Sequence, residues 1–262
     1  MRTTENAVVK AVGQAMGEVN LRVGKLRDRL EGKTNLSTRS VAARSQKTFG
    51  GITDIIRKQI ADAFIESYYR ECYEVQDKIG RYWRPPTLSQ SAVNAFVNGQ
   101  IKGKNWKERL QRWYRQYARA ISTITHGAKY GIPQGEIDDL IKRETGKQGE
   151  SGLTYKIMRI VRTESNNAMN RAAIMAYKAM GVQRYRIVAI LDDRTCRYCH
   201  EEQDGKIYEV AKAKKTINLP PFHPNCRCYT EPVITKDTKK QARKKAKLKK
   251  HITYAVWRKR YT

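Results

Sequence analysis

Four of the five cysteines in this 262-residue chain fall within residues 196–228, together with two of its four histidines. The first pair, Cys196-Arg197-Tyr198-Cys199, sets two sulfurs one turn apart. After 23 residues, His223-Pro224-Asn225-Cys226-Arg227-Cys228 offers an imidazole and two further thiols. Thiolates and imidazoles in two close pairs are the donor set of a tetrahedral zinc site. The set expected from the spacing is Cys196, Cys199, His223 and Cys226, with Cys228 or His200 each able to replace one of the four. Four protein ligands leave no open position, so the expected cofactor is a structural Zn²⁺. Such an ion lets a small, loop-rich segment fold with little core of its own. The plain alternative is two unrelated turns carrying reduced thiols. The first residues lead into no continuous apolar stretch, so reduced thiols are expected rather than disulfides. Cys72 stands alone in a helical pattern and reads as a small buried hydrophobe.

Catalytic readings of the same cluster are weaker. A zinc deaminase places His-x-Glu before Pro-Cys-x-x-Cys, whereas here the Cys-x-x-Cys comes first and no such Glu follows His223. The His-Glu-x-x-His of a zincin is absent. A nuclease would draw on His126 or His251 and on the acid pairs Asp192-Asp193 and Glu201-Glu202, none of which stands in a recognisable motif. The expectation is a non-enzyme with no catalytic residues. A metal-dependent nuclease or toxin-like effector is the enzyme-class alternative.

Charge points to a partner. The chain carries 53 Lys and Arg against 25 Asp and Glu, a net +28. Residues 236–262 hold 12 of those cations and one acid. The block containing Lys239, Lys240, Arg243, Lys244, Lys245, Lys247, Lys249 and Lys250 repels itself and needs solvent or a polyanion. Nucleic acid answers that need through counterion release, so sequence-nonspecific contact with double-stranded DNA is expected. The rivals are a solvated tail and an acidic protein surface. A membrane is not expected as partner, because the tail lacks a strong apolar face and no apolar run approaches bilayer length. Trp257, Tyr254 and Tyr261 could stack on bases or anchor the tail to protein.

The elements that must position these groups are mainly helices. Ile52, Ile56, Ile60, Phe64 and Tyr68 recur at one-turn intervals, and Pro85-Pro86 is expected to stop the helix that bears them. Trp106, Leu110, Trp113, Tyr117, Ile121 and Ile124 share the face of a second helix. Gly146 to Gly152 reads as a linker. A long helix is expected over 154–180, closed by Gly181, with Glu164 on its buried side in need of a cationic or amide partner. Residues 184–191 read as a strand, and a shorter one follows the Asp204-Gly205 turn. The fold class is mainly α, in three parts: a helical docking region over 1–150, a small α+β zinc-stabilised module over 151–235, and a basic tail over 236–262.

The module resembles the phage Mu F-type minor head protein (head morphogenesis) family. The likeness rests on Arg162-Thr163-Glu164 and Asn170 in the long helix, and on Leu191-Asp192-Asp193-Arg194-Thr195-Cys196-Arg197-Tyr198-Cys199. It continues through Asp204-Gly205-Lys206 and Pro220-Pro221-Phe222-His223-Pro224-Asn225-Cys226-Arg227-Cys228, and covers roughly residues 103–233. The resemblance implies a structural virion component, made in the host cytoplasm and located in the capsid interior. It also implies association with the portal protein, with the major capsid protein as a further contact, and a role in head assembly or in packaging and ejection of DNA. Some relatives carry toxin domains, including ADP-ribosyltransferases; the N-terminal half here contains no Glu-x-Glu to match one. A cellular nucleic-acid-binding module unconnected with virions is the remaining alternative.

Overall fold

The computed structural model describes residues 38–100, 103–129, 135–136, 139, 153–247 and 249–262. Residues 1–37, the expected linker at 146–152 and the side chains of Tyr117, Ile121, Ile124 and His126 lie outside that description. Among the described residues the chain is mainly helical (62%), with one three-stranded antiparallel sheet in the C-terminal part. In order the elements are α1 (Thr38–Ile79), α2 (Gln90–Val97), α3 (Trp106–Lys129), α4 (Leu153–Met180), β1 (Arg184–Val188), β2 (Ile207–Glu209), β3 (Tyr229–Val233), α5 (Lys236–Lys245) and α6 (Tyr254–Tyr261). They group into two units, residues 1–59 with 99–161 and residues 60–98 with 162–262, and both α1 and α4 contribute to each.

In the first unit the start of each helical stripe is buried, with Trp113 of the second stripe only half-buried. Ile52, Ile56, Trp106 and Leu110 are all buried, as are Ile157, Ile160 and Val161 of α4. The start of α3 is set by a reciprocal cap. Glu108 N donates to Asn105 Oδ1 (2.9 Å) while Asn105 N donates to Glu108 Oε2 (2.8 Å), which satisfies two donors a helix end otherwise leaves open. Lys156 rests its ammonium 4.7 Å from the centroid of the Trp113 ring.

The second unit holds the cysteine cluster. Ile60, Phe64 and Tyr68 continue the stripe of α1 into its core, and Phe64 stacks on Phe96 of α2 at 4.3 Å. The helix α1 ends at Ile79, before the Pro85-Pro86 pair expected to stop it. Gly80 takes the left-handed conformation (φ 72°), and Arg81 N donates to the Gln76 carbonyl (3.1 Å), closing the last turn. Gly181 ends α4 in the same manner, with φ 76° and Val182 N on the Tyr177 carbonyl (2.9 Å). A side chain at Gly181 would also collide with Gln241 Oε1, 2.3 Å from where its Cβ would stand.

The sheet has strand order β2-β1-β3. The central strand β1 stops at Val188, three residues short of expectation, because Ala189 N leaves the ladder for Asp204 Oδ1 (2.8 Å). Nothing in the sequence reading foresaw β3, whose Pro232 argues against a strand. As an edge strand it pairs with β1 alone, Pro232 opposite Tyr185, so its outer side needs no donor.

The end of the chain is built into this unit. Thr238 and Ala242, one turn apart on α5, are buried, and Trp257 of α6 is fully enclosed. Trp257 Nε1 donates to Gln76 Oε1 (2.9 Å) on α1. Of the two roles open to the terminal aromatic residues, anchoring to protein is the one adopted. Tyr254 and Tyr261 pack on Trp257, at 6.0 and 6.1 Å between ring centroids.

Candidate metal centre

The cluster is assembled from two loops and braced by one helix. The first loop leaves β1 through a turn in which Asp192 Oδ1 accepts from Arg194 N (3.0 Å) and Asp192 N donates to Thr195 Oγ1 (3.0 Å). The chain then coils tightly over Tyr198–Gln203, with His200 N on the Cys196 carbonyl (3.1 Å) and Asp204 N on the Cys199 carbonyl (3.0 Å). This winding brings the two sulfurs to the same side. The second loop turns at Asn225, which is left-handed (φ 61°), and Cys226 N closes on the His223 carbonyl (3.2 Å).

Two features hold the loops together. Arg227, between Cys226 and Cys228, grips both carboxylate oxygens of Asp192 and ties the second loop to the turn preceding Cys196. This guanidinium holds the Asp192 carboxyl well below the usual carboxylate range. From the other side, α4 presents Thr163, Asn166 and Asn170, at helical positions i, i+3 and i+7, to the backbone of the second loop. Asn225 N donates to Thr163 Oγ1 (3.1 Å), and the Cys228 carbonyl accepts from Asn166 Nδ2 (2.9 Å) and Asn170 Nδ2 (3.2 Å). All three side chains are buried. Glu164 is buried beside them and accepts from Asn167 Nδ2 (3.2 Å), the amide partner its position calls for.

Five donor groups meet in two overlapping triads, Cys196–Cys199–His223 and Cys199–Cys226–Cys228, each with its donor atoms within 4.8 Å of one another. His223 Nε2 lies 3.2 Å from Cys196 Sγ and 3.1 Å from Cys199 Sγ, and Cys199 Sγ lies 3.9 Å from Cys226 Sγ. Zinc–sulfur bonds of about 2.3 Å in a tetrahedron put sulfurs about 3.8 Å apart, so the Cys199–Cys226 spacing fits one shared ion. Nδ1 of His223 faces the Pro224 carbonyl at 2.8 Å, which leaves Nε2 as the donor nitrogen turned to the sulfurs. His200 is exposed and belongs to neither triad.

Proton affinities within the cluster are strongly split. The Cys228 thiol, and then His223, pull the Cys226 thiol down to about 4. Cys226 in turn raises His223 to about 9, and burial pushes Cys199 up to about 12. Hydrogen bonding to Cys226 and burial raise Cys228 as well. Cysteine and histidine bind a divalent ion in their deprotonated forms, so an ion held by this cluster would displace protons from its donors.

Three of the four acids weighed for a nuclease have partners of their own. Asp192 serves Arg227, Glu201 accepts from Arg197 (2.6 Å), and Glu202 faces Lys206 (3.8 Å). His251 faces Asp77 at 2.8 Å. The eight cations expected at a DNA interface, from Lys239 to Lys250, are all exposed. Asn166 and the Arg227–Asp192 grip went unassigned in the sequence reading. The available signal was polar residues repeating at i, i+3 and i+7 on the buried side of a helix.

Comparison with known proteins places this assembly. A relative from Haemophilus influenzae, described only as an uncharacterized protein, is 32% identical over 150 residues. Those residues are 57% of this chain and 31% of the relative, so the chain spans about a third of that protein's length. No solved structure matches the chain. Residues 94–231 match the family described as Phage Mu protein F like protein. The match runs from α2 to β3, takes in α4 and both loops of the cluster, and covers more than half of the residues. The chain belongs to the Phage Mu protein F like family.

Proposed function

We propose that the protein is a structural minor head component of a tailed phage, acting in head assembly or in packaging and ejection of DNA. Membership of the family, which suggests phage head morphogenesis, is the observation that carries this reading. In it, Cys196, Cys199, His223 and Cys226 hold a structural zinc ion, with Cys228 as substitute for one of them. The ion supplies no chemistry beyond cross-linking two loops that otherwise lean on α4 and on the Arg227–Asp192 grip. The helices rich in aromatic residues are the docking surface for the portal protein, and the basic C-terminal segment faces packaged double-stranded DNA. No helix among the described residues is long and apolar enough to cross a membrane.

Two measurements test the proposal. Mass spectrometry of purified particles should find the protein in fixed ratio to the portal; its confinement to the soluble fraction of infected cells would sink the head role and favour the cellular nucleic-acid module. Elemental analysis of the purified protein should give one zinc per chain, lost in Cys199→Ser, the residue common to both triads. A Cys199→Ser variant that keeps its zinc would refute the metal assignment.

A further inference from the structure

The basic C-terminal segment is not a loose tail. Its backbone is held along the end of α1: Arg81 Nη1 donates to the Ala246 carbonyl (2.5 Å), Lys249 N to the Gly80 carbonyl (3.1 Å), and Tyr73 OH to the Ile252 carbonyl (2.8 Å). Buried Ala242 and Trp257 fix its two sides. The cations between them point outward, and among the described residues none of Lys239, Lys240, Lys244, Lys247 or Lys250 is paired with a carboxylate. Trp257 is buried, and the half-buried rings of Tyr254 and Tyr261 pack against it.

We infer that this strap is a pre-folded, sequence-blind face for the phosphate backbone of duplex DNA, with no capacity to read or stack on bases. It rests on the proposed head role for which duplex is met, the packaged one. Three observations select duplex DNA from the polyanions. Lysine dominates the face, and lysine is depleted at protein–protein interfaces while serving well as a hydrated point charge beside phosphates. Single-strand binders use exposed aromatic platforms, whereas Trp257 is enclosed and Tyr254 and Tyr261 pack on it. Holding the backbone at three points before binding means that no tail has to be ordered on contact.

The test uses the full-length protein and fluorescence anisotropy across a salt series. The probes are a labelled duplex of arbitrary sequence, an oligo-dT with the same number of phosphates, and poly-glutamate as competitor. Changing Lys240, Lys244, Lys247 and Lys250 to Gln removes exposed charges only, so the melting temperature should stay put. For the duplex, the slope of log affinity against log salt should flatten by about 3.6, that is about 0.9 for each phosphate contact removed. Circular dichroism should show no gain of helix on binding. An unchanged slope, displacement of duplex by poly-glutamate at equal charge, tighter binding of oligo-dT, or helix gained on binding would each overturn the inference. These outcomes are separable from the head role: a strap that fails in a protein still found in particles fails alone.

Discussion

Replacing Trp257 by Ala tests whether the C-terminal segment belongs to the fold. The side chain is fully enclosed, and a buried indole removes roughly 200 Å² from water. At about 25 cal/mol per Å² that is about 5 kcal/mol, and measured Trp→Ala changes in cores run about 3–5 kcal/mol. The hydrogen bond to Gln76 adds little, because Gln76 Oε1 still accepts from Trp83 N (3.0 Å) once the indole is gone. Loss of contact with Tyr73, Tyr254 and Tyr261 adds to the cost. A loss of about 4 kcal/mol is expected, which for a domain of this size lowers the melting temperature by about 8–16 °C. Trp257→Phe keeps one of the two fused rings and gives up the N–H and part of the buried volume, so it should cost less than the alanine variant, about 1–3 kcal/mol. Thermal melts followed by circular dichroism, repeated in urea, read both variants. Deleting residues 236–262 should be at least as damaging as Trp257→Ala. A truncated chain that melts with the full-length protein would show the segment to be a free tail and remove the basis for a pre-folded strap.

Two further predictions concern the same unit. Burial holds the Glu71 carboxyl up at about 7. Around it stand Glu74 and Lys78 of α1, Tyr177 of α4 and Glu231 of β3. The folded state binds the extra proton between the ordinary carboxyl range and that value, so stability should fall as pH rises from about 4.5 to 7, by at most about 3 kcal/mol. Glu71→Gln should level this slope in urea melts taken across that range, and parallel profiles for the two proteins would refute the assignment. Asn166 and Asn170 share one acceptor, the Cys228 carbonyl. Either Asn→Ala alone leaves that carbonyl bonded, while the double variant orphans it, so the double should cost about 1–2 kcal/mol more than the sum of the singles. Strict additivity would mean that the two amides do not act on the loop together.

Helices were the most legible part of the sequence, because burying one face imposes a period. Ile52 to Tyr68 and the Trp106–Leu110 pair read correctly from spacing alone. The gathering of Cys196, Cys199, His223, Cys226 and Cys228 into one cluster was legible from their two close-spaced groups in the sequence. Less legible were features made by partners distant in sequence. Nothing local says that Pro232 sits on an edge where its missing N–H costs nothing. Nor does a run of lysines reveal that Gln76, 181 residues before Trp257, supplies the acceptor that seats the last helix. The Arg227–Asp192 grip hid likewise, because each residue alone reads as an ordinary surface charge.

The tyrosine that joins α1 to the sheet shows how protonation and topology constrain one another. Tyr177 OH lies 3.0 Å from Glu71 Oε2 and 3.0 Å from the Thr230 carbonyl. A hydroxyl carries one proton and a carbonyl can only accept. That one proton can go to the Thr230 carbonyl or to Glu71 Oε2, and the bond to Glu71 favours the ionised carboxyl, against the burial that raises it. Thr230 lies two residues beyond Cys228, whose carbonyl α4 holds through Asn166 and Asn170. From there β3 runs in register with β1, Tyr229 opposite Val188 and Val233 opposite Arg184, with Thr230 and Pro232 turned inward. A slip of one residue would turn those two outward. The same strand delivers Thr235, the cap of α5, whose side chain accepts from Thr238 N. Whatever fixes Cys226 and Cys228 therefore fixes where β3 starts and where the basic helix begins. The cysteine cluster and the cationic surface are two ends of one structural element.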